Sequence, residues 1–141
     1  MNVLSNGLFL DKTHWAQMEA DVQAKAPEEA CGFVVGAGNR SRLVIPITNN
    51  LHSQSRFRME PKEQLNAFLL AEEKGLDILA VYHSHPQGIN KPSATDHEEL
   101  TYPGIVYLIW YIAGERWRCQ GYLMYRYMDA MEVPLNVIQE V

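Results

Sequence analysis

The chain has 141 residues, 47% hydrophobic and 21% charged, with a formal net charge of -5 and a pI near 5.5. That is the size of one ordinary domain, enough to bury roughly two-thirds of the unfolded surface around one core, so residues 1–141 are expected to form a single domain. An acidic chain without a Lys/Arg cluster argues against a nucleic-acid partner, and no segment approaches the ~20 apolar residues of a membrane span.

The opening MNVLSNGLFLDKTHW lacks a basic start followed by a long apolar run, so no targeting segment is expected. Cys31 and Cys119 are too few and too far apart for a disulfide framework or a metal knuckle, which points to a reducing, cytoplasmic setting. In LDKTHWAQMEADVQAKAP, Trp15, Met18 and Val22 fall on one helical stripe; Thr13 or Asp11 can cap its start, and Pro27 ends it. EEACGFVVGAGN then reads as a strand running into a turn at Gly38 and Asn39, with SRLVIPIT as the return strand. Pro46 cannot donate to a ladder and so predicts an edge position or a break.

NNLHSQSRFRM is expected to be extended, and Pro61 opens a second helix whose apolar face is expected to be Leu65, Phe68 and Leu69, with Gly75 as its stop. DILAVYHSHP is a continuous apolar run, the pattern of a central strand covered on both faces. A short helix is expected to begin at DHEEL, followed by strands at GIVYLIWYIAG and RWRCQGYLMYR and a last short one in EVPLNVI. The whole predicts a mixed α/β domain, helices packed on a twisted sheet.

His83 and His85 carry the chemistry. Two residues apart on a strand, and so about 6.6 Å apart along it, they aim both rings to one face, and Pro86 stops the ladder at once. Two imidazoles at a strand end are two-thirds of a catalytic zinc site, which takes three protein ligands and keeps a fourth position open. Asp96 is the natural third, because Gly88 and Pro92 let the chain turn back over the strand end; it could equally be a helix N-cap, with Glu99 three residues on. Hydrolysis also needs a proton handler, for which Glu28 and Glu29 at the helix–strand junction are candidates beside a plain surface role. Ser93 could donate to an oxyanion or cap a turn after Pro92. His14 and His52 read as surface or satisfied side chains, and Ser84 points away from the ligands into the sheet. Cys31 reads as a small buried hydrophobe.

HSHPQGINKPSATD resembles the JAMM motif: His-x-His-Pro, then Ser-x-x-Asp beginning eight residues after the second histidine. PEEACGFVVG resembles the upstream Pro-x-Glu-x-Cys-Gly segment of the same family. The order of elements agrees along most of the chain, which is identified by these motifs as a JAMM-type member of the MPN (JAB-like) metalloproteases, of the compact prokaryotic or phage type. The resemblance implies a twisted mixed sheet flanked by helices, similar to the cytidine deaminases. It implies one zinc ion per chain with a bound water, held by His83, His85 and Asp96. Glu29, rather than Glu28, matches the position of the base that activates the water, and Ser93 that of the oxyanion donor. The implied activity is hydrolysis of a peptide or isopeptide bond after the C-terminal Gly-Gly of a ubiquitin-like or sulfur-carrier protein. A homodimer is compatible with it. MPN domains also serve as scaffolds, but their ligand sets are usually degraded, whereas every position is filled here. A phage tail-assembly hydrolase shares the motif.

Other metal hydrolases fit worse. Gln87 and Gly88 stand where the β-lactamase-like pattern wants Asp-His, a (β/α)₈ barrel needs about 250 residues, and the His-x-Glu of zinc deaminases is missing.

Overall fold

The computed structural model describes residues 6–102, 104–125 and 128–139. The first five residues, read above for a targeting signal, and Arg126, expected at the end of a strand, lie outside them. In chain order the elements are β1 (Leu8–Asp11), α1 (Lys12–Lys25), β2 (Cys31–Ala37), β3 (Arg40–Ile47), α2 (Pro61–Glu73), β4 (Asp77–His85), α3 (Ala94–Glu98), β5 (Val106–Ala113), β6 (Arg116–Tyr125), β7 (Met128–Val133) and β8 (Leu135–Ile138). The strands form one mixed sheet in the order β7-β6-β5-β4-β2-β3-β1-β8. Its two outermost strands are consecutive in the chain with Pro134 between them, so the sheet must curl back toward itself; the Leu8 N–H donates to Pro134 O at 2.9 Å.

Helix α1 starts where Asp11 accepts from the Thr13 N–H, so Asp11 and not Thr13 is the cap. Its Met18 and Val22 pack on one sheet face with Val34, Ala80, Tyr82 and Trp110, and the Trp15 ring packs at a tilt against Trp110. Helix α2 opens on Pro61 with Glu60 as cap, and buries Ala67 and Ala71 on the opposite face with Phe33, Val35, Val81 and Tyr107. Because side chains alternate along a strand, β4 sends Val81 to the α2 side and Ala80 and Tyr82 to the α1 side. The same period carries His83 and His85 to the α2 side.

Strand β4 lies in the middle of the sheet, antiparallel to β2 and parallel to β5, as its apolar run predicts. Strand β1 joins β3 only at Phe9↔Arg40, which leaves Pro46 on a locally open edge where its missing donor is tolerated. Four expectations need correction. Leu65 and Leu69, expected on the apolar face of α2, are more than half exposed, because the helix turns Ala67 and Ala71 toward the sheet instead. Leu8–Asp11 is a strand of its own, made by parallel pairing with β8; the last strand is two strands parted by Pro134; and α3 begins at Ala94, two residues ahead of DHEEL. Stretch 49–59 is an irregular loop, closed by an isolated bridge between Asn49 and Met59.

Gly32 is a tight point behind the site. A Cβ there would lie 2.3 Å from the buried Tyr82 ring and 2.6 Å from Ile45 O. Gly32→Ala is therefore expected to destabilise by ~1–3 kcal/mol, read as a lower urea midpoint with an unchanged m-value; an unshifted midpoint would mean that β2 and β4 can part at no cost.

Candidate metal centre and active site

His83 and His85 end β4, both buried, with the Cys31–Ala37 strand on one side and Val106–Ala113 on the other. Beyond them the chain turns sharply: the Gly88 N–H donates back to His85 O at 2.9 Å, and Gly88 has φ +94, a conformation that favours glycine. The loop is pinned by Tyr122 Oη donating to Asn90 O at 2.8 Å. It delivers Ser93 as the N-cap of α3 in a capping box: Asp96 N–H donates to Ser93 Oγ at 3.0 Å, and Ser93 N–H to Asp96 Oδ2 at 2.8 Å. Asp96 is thus the third helical residue and not the cap, because its carboxylate reaches backward instead of forward. That same oxygen faces both histidines.

Three atoms converge. Nε2 of His83 and Nε2 of His85 are 3.1 Å apart, and Oδ2 of Asp96 lies 3.2 Å from the first and 3.1 Å from the second. A carbonyl only accepts, so Nδ1 of His85 must donate to Ile89 O, 2.8 Å away, and the neutral ring is left with a bare lone pair on Nε2. Lone pairs facing one another at this distance repel unless a cation, a proton or a metal ion, sits among them. The spacing is close to the ~3.3–3.4 Å between neighbouring ligands of a tetrahedral zinc with bonds of ~2.0–2.1 Å. The donor set, two neutral imidazoles and one carboxylate, is that of a zinc site with an open position. Burial acting alone would raise the Asp96 carboxyl and lower His83. Each moves the other way, because His83 beside Asp96 favours the charged form of both, and His85 and the Ser93 N–H add hydrogen bonds to Asp96. A metal ion would displace that proton.

Glu29 approaches from the α1–β2 junction, 3% exposed. One of its carboxylate oxygens and a nitrogen of each histidine lie within 4.8 Å of one another, so these three could also group around an ion. The Asp96 oxygen, at 3.1–3.2 Å from both nitrogens, fits direct co-ligation better; Glu29 stands at the looser spacing that suits a group acting across one water. Its Oε1 is buried without a hydrogen-bond partner, as are Nδ1 of His83 and Nε1 of Trp110. Burial pushes the Glu29 carboxyl up from 4.5 to about 7, with His83 opposing and Asp96 and Glu99 adding to the rise. The Glu29 main chain is held on both sides: its N–H donates to Ser53 O at 2.7 Å, and its carbonyl accepts from Asn49 Nδ2 at 3.0 Å. Ser84, facing away from the histidines as expected, accepts from Ala30 N–H at 2.7 Å and so locks β4 against the residue after Glu29.

A groove of about 330 Å³ leads to His83 and Asp96. The loop residues Arg56 to Met59 form one wall and Thr95 and Glu99 the other, with Val81, Tyr102 and Tyr107 also lining it. Phe57 stacks on His83 with ring centres 4.7 Å apart, and an Arg56–Glu99 ion pair joins the walls.

Of the residues singled out from sequence, His83, His85, Asp96 and Ser93 come together with Glu29 beside them, while Glu28 turns outward to His52 at 3.1 Å. Cys31 is fully buried in the apolar layer, donates to Ile47 O at 3.5 Å, and has its thiol pushed up to about 12 by burial, which suits a packing role. His14 bonds Ser41 at 2.7 Å. Asn49, Phe57 and the Arg56–Glu99 pair were not foreseen, because their pairings span long sequence distances.

The family model for prokaryotic homologues of the JAB domain matches residues 11–120. The chain belongs to that family. It is 30% identical over 125 residues to a desampylase of Pyrococcus furiosus, covering 88% of this chain and 86% of that one. It is 29% identical over 127 residues to a CysO-cysteine peptidase of Mycobacterium tuberculosis, covering 87% and 86%. The solution structure of a Desulfitobacterium hafniense protein superposes with a TM-score of 0.85 at 29% identity, covering 95% of this chain and 94% of that one. The mixed α/β architecture expected for a JAB-like domain is the one observed. Among the described residues no helix is long and apolar enough to cross a membrane.

The raised Glu29 carboxyl has a consequence for stability. Folded, it keeps its proton up to about pH 7, whereas unfolded it ionises near 4.5, so its contribution is complete below 4.5 and is lost as pH rises through 7. The loss amounts to ~3 kcal/mol at most. In metal-free protein Glu29→Gln should therefore raise the urea midpoint at about pH 8 and leave it unmoved at about pH 4. Equal midpoints at pH 8 would place the carboxylate in solvent.

Proposed function

We propose that this chain is a zinc-dependent isopeptidase that hydrolyses the bond following the C-terminal Gly-Gly of a ubiquitin-like or sulfur-carrier protein. The observation that carries the reading is the convergence of the His83, His85 and Asp96 lone pairs beside the buried Glu29 carboxyl, whose Oε1 has no hydrogen-bond partner. His83, His85 and Asp96 would hold the ion. Bound there, zinc would supply Lewis acidity, lowering the pKa of water and polarising a carbonyl oxygen.

The protein's own groups account for the rest. A carboxyl whose affinity for a proton is raised toward neutrality is matched to taking the proton of the attacking water and returning it to the departing amine, and Glu29 has both the position and the shift. Ser93 Oγ accepts from the Asp96 N–H, which leaves its hydroxyl proton free to donate to the carbonyl oxygen as negative charge grows there. The groove between the 56–59 loop and α3 would take an extended tail, and two glycines need the least width where Phe57 closes over His83. The relatives named as a desampylase and a CysO-cysteine peptidase support a peptidase reading. Two free cysteines support a reducing cytoplasm as its setting.

Zinc-loaded protein should be incubated with sulfur-carrier proteins bearing residues beyond Gly-Gly, in linear and lysine-linked form, and the products weighed by mass spectrometry. Cleavage after the second glycine is expected. Glu29→Gln should keep one zinc per chain and lose about 10²–10⁴-fold in kcat, and His85→Ala should lose the zinc as well. Absence of cleavage in every substrate, or undiminished turnover by Glu29→Gln, would defeat the proposal.

A further inference from the structure

Asn49 follows β3 and has no counterpart in the motif that marks the site, yet it is only 5% exposed and uses all of its side-chain hydrogen-bonding groups. Its Nδ2 donates to Glu29 O and to Arg56 O, each at 3.0 Å. Its Oδ1 accepts from the N–H groups of Leu51 and Arg58, again at 3.0 Å each. The two donors meet carbonyls and the two acceptances meet amides, so only a carboxamide in this orientation satisfies the set; an aspartate could not donate.

These bonds tie together parts of the site that are distant in sequence. Arg56 O and Arg58 N flank Phe57, whose ring stacks on His83. On the other side, Asn49 holds the Leu51 N–H with its side chain and the His52 N–H, 3.2 Å away, with its main-chain carbonyl, closing a turn in which His52 has φ +47, a left-handed conformation that side-chain-bearing residues rarely adopt. A strained residue of this kind persists where its surroundings over-determine it. Here it brings Ser53 O to the Glu29 N–H, 2.7 Å away. Glu29 is therefore held at its carbonyl by Asn49 directly and at its N–H through the loop that Asn49 organises.

We propose that Asn49 is a positioning residue for Glu29, fixing the main chain of the base and the Phe57 wall of the groove in one register with His83. This rests on the reading of Glu29 as the base. Asn49 touches neither the proposed metal ligands nor the reacting atoms, and acts through Glu29 and the loop. Misplacing a reacting group by about 1 Å costs ~10²-fold in rate, so a loss of that size is expected in kcat when the carboxamide is removed.

The test uses zinc-loaded Asn49→Ala and Asn49→Asp, the second keeping shape and the accepting oxygen while losing both donors. Zinc content, kcat and KM on the substrate cleaved by the wild type, and amide hydrogen exchange are measured for each. Both variants should hold one zinc and show kcat reduced ~10²-fold. Faster exchange should be confined to Glu29, Leu51 and Arg58 in Asn49→Ala and to Glu29 in Asn49→Asp, whose oxygen still accepts from Leu51 and Arg58, with the amides of β4 and β5 as protected as in the wild type. A folded, zinc-loaded variant of either kind with wild-type kcat would overturn the proposal, as would a change in KM alone, which would assign Asn49 to the groove wall. If the wild type cleaves nothing, the hydrolase reading fails and this one with it; an active wild type beside equally active variants defeats this one only.

Discussion

Two ring nitrogens and one carboxylate oxygen, all within 3.2 Å of each other and almost dry, are an unfavourable arrangement unless positive charge lies among them. Most of the local architecture serves to hold that arrangement. Strand β4 is paired on both sides, Phe57 stacks on the His83 ring, His85 is fixed in one tautomer by Ile89 O, and Asp96 is turned inward by the capping box that starts α3. Removing one partner of such a cluster leaves the others facing one another uncompensated, which is costlier than the loss of a surface contact.

The proposed base comes from a different part of the chain and is tuned by a different force. Asp96 is surrounded by donors and stays ionised, whereas Glu29 has a bare buried oxygen and tends to keep its proton. Two carboxyl groups near the same histidines are thus driven apart in proton affinity, one toward holding a cation and one toward exchanging a proton. Strand pairing brings them together: Cys31 of β2 lies opposite His83 of β4, and Ser84 captures the Ala30 N–H between.

What could be read from the sequence depended on how local the cause was. The helical stripe of Trp15, Met18 and Val22 and the alternation that puts His83 and His85 on one face follow from short-range geometry. The turn at Gly88 was legible for the same reason. Asp96 was ambiguous, since a carboxylate near a helix start is usually a cap; only the tertiary position of β4 shows that it faces inward while Ser93 takes the capping role. The strand Leu8–Asp11 was missed because four residues paired in parallel to a segment over a hundred residues away leave no local signal. Asn49 was missed because asparagine in a loop is ordinary turn chemistry, and its four partners span residues 29 to 58.

The most direct measurement on the central claim is X-ray absorption at the zinc edge of protein loaded with one equivalent of zinc. Convergence of His83, His85 and Asp96 predicts a four-atom shell of nitrogen and oxygen alone, with outer-shell scattering from two imidazoles. A sulfur neighbour, scattering from a single imidazole, or failure of the protein to retain the ion would contradict it.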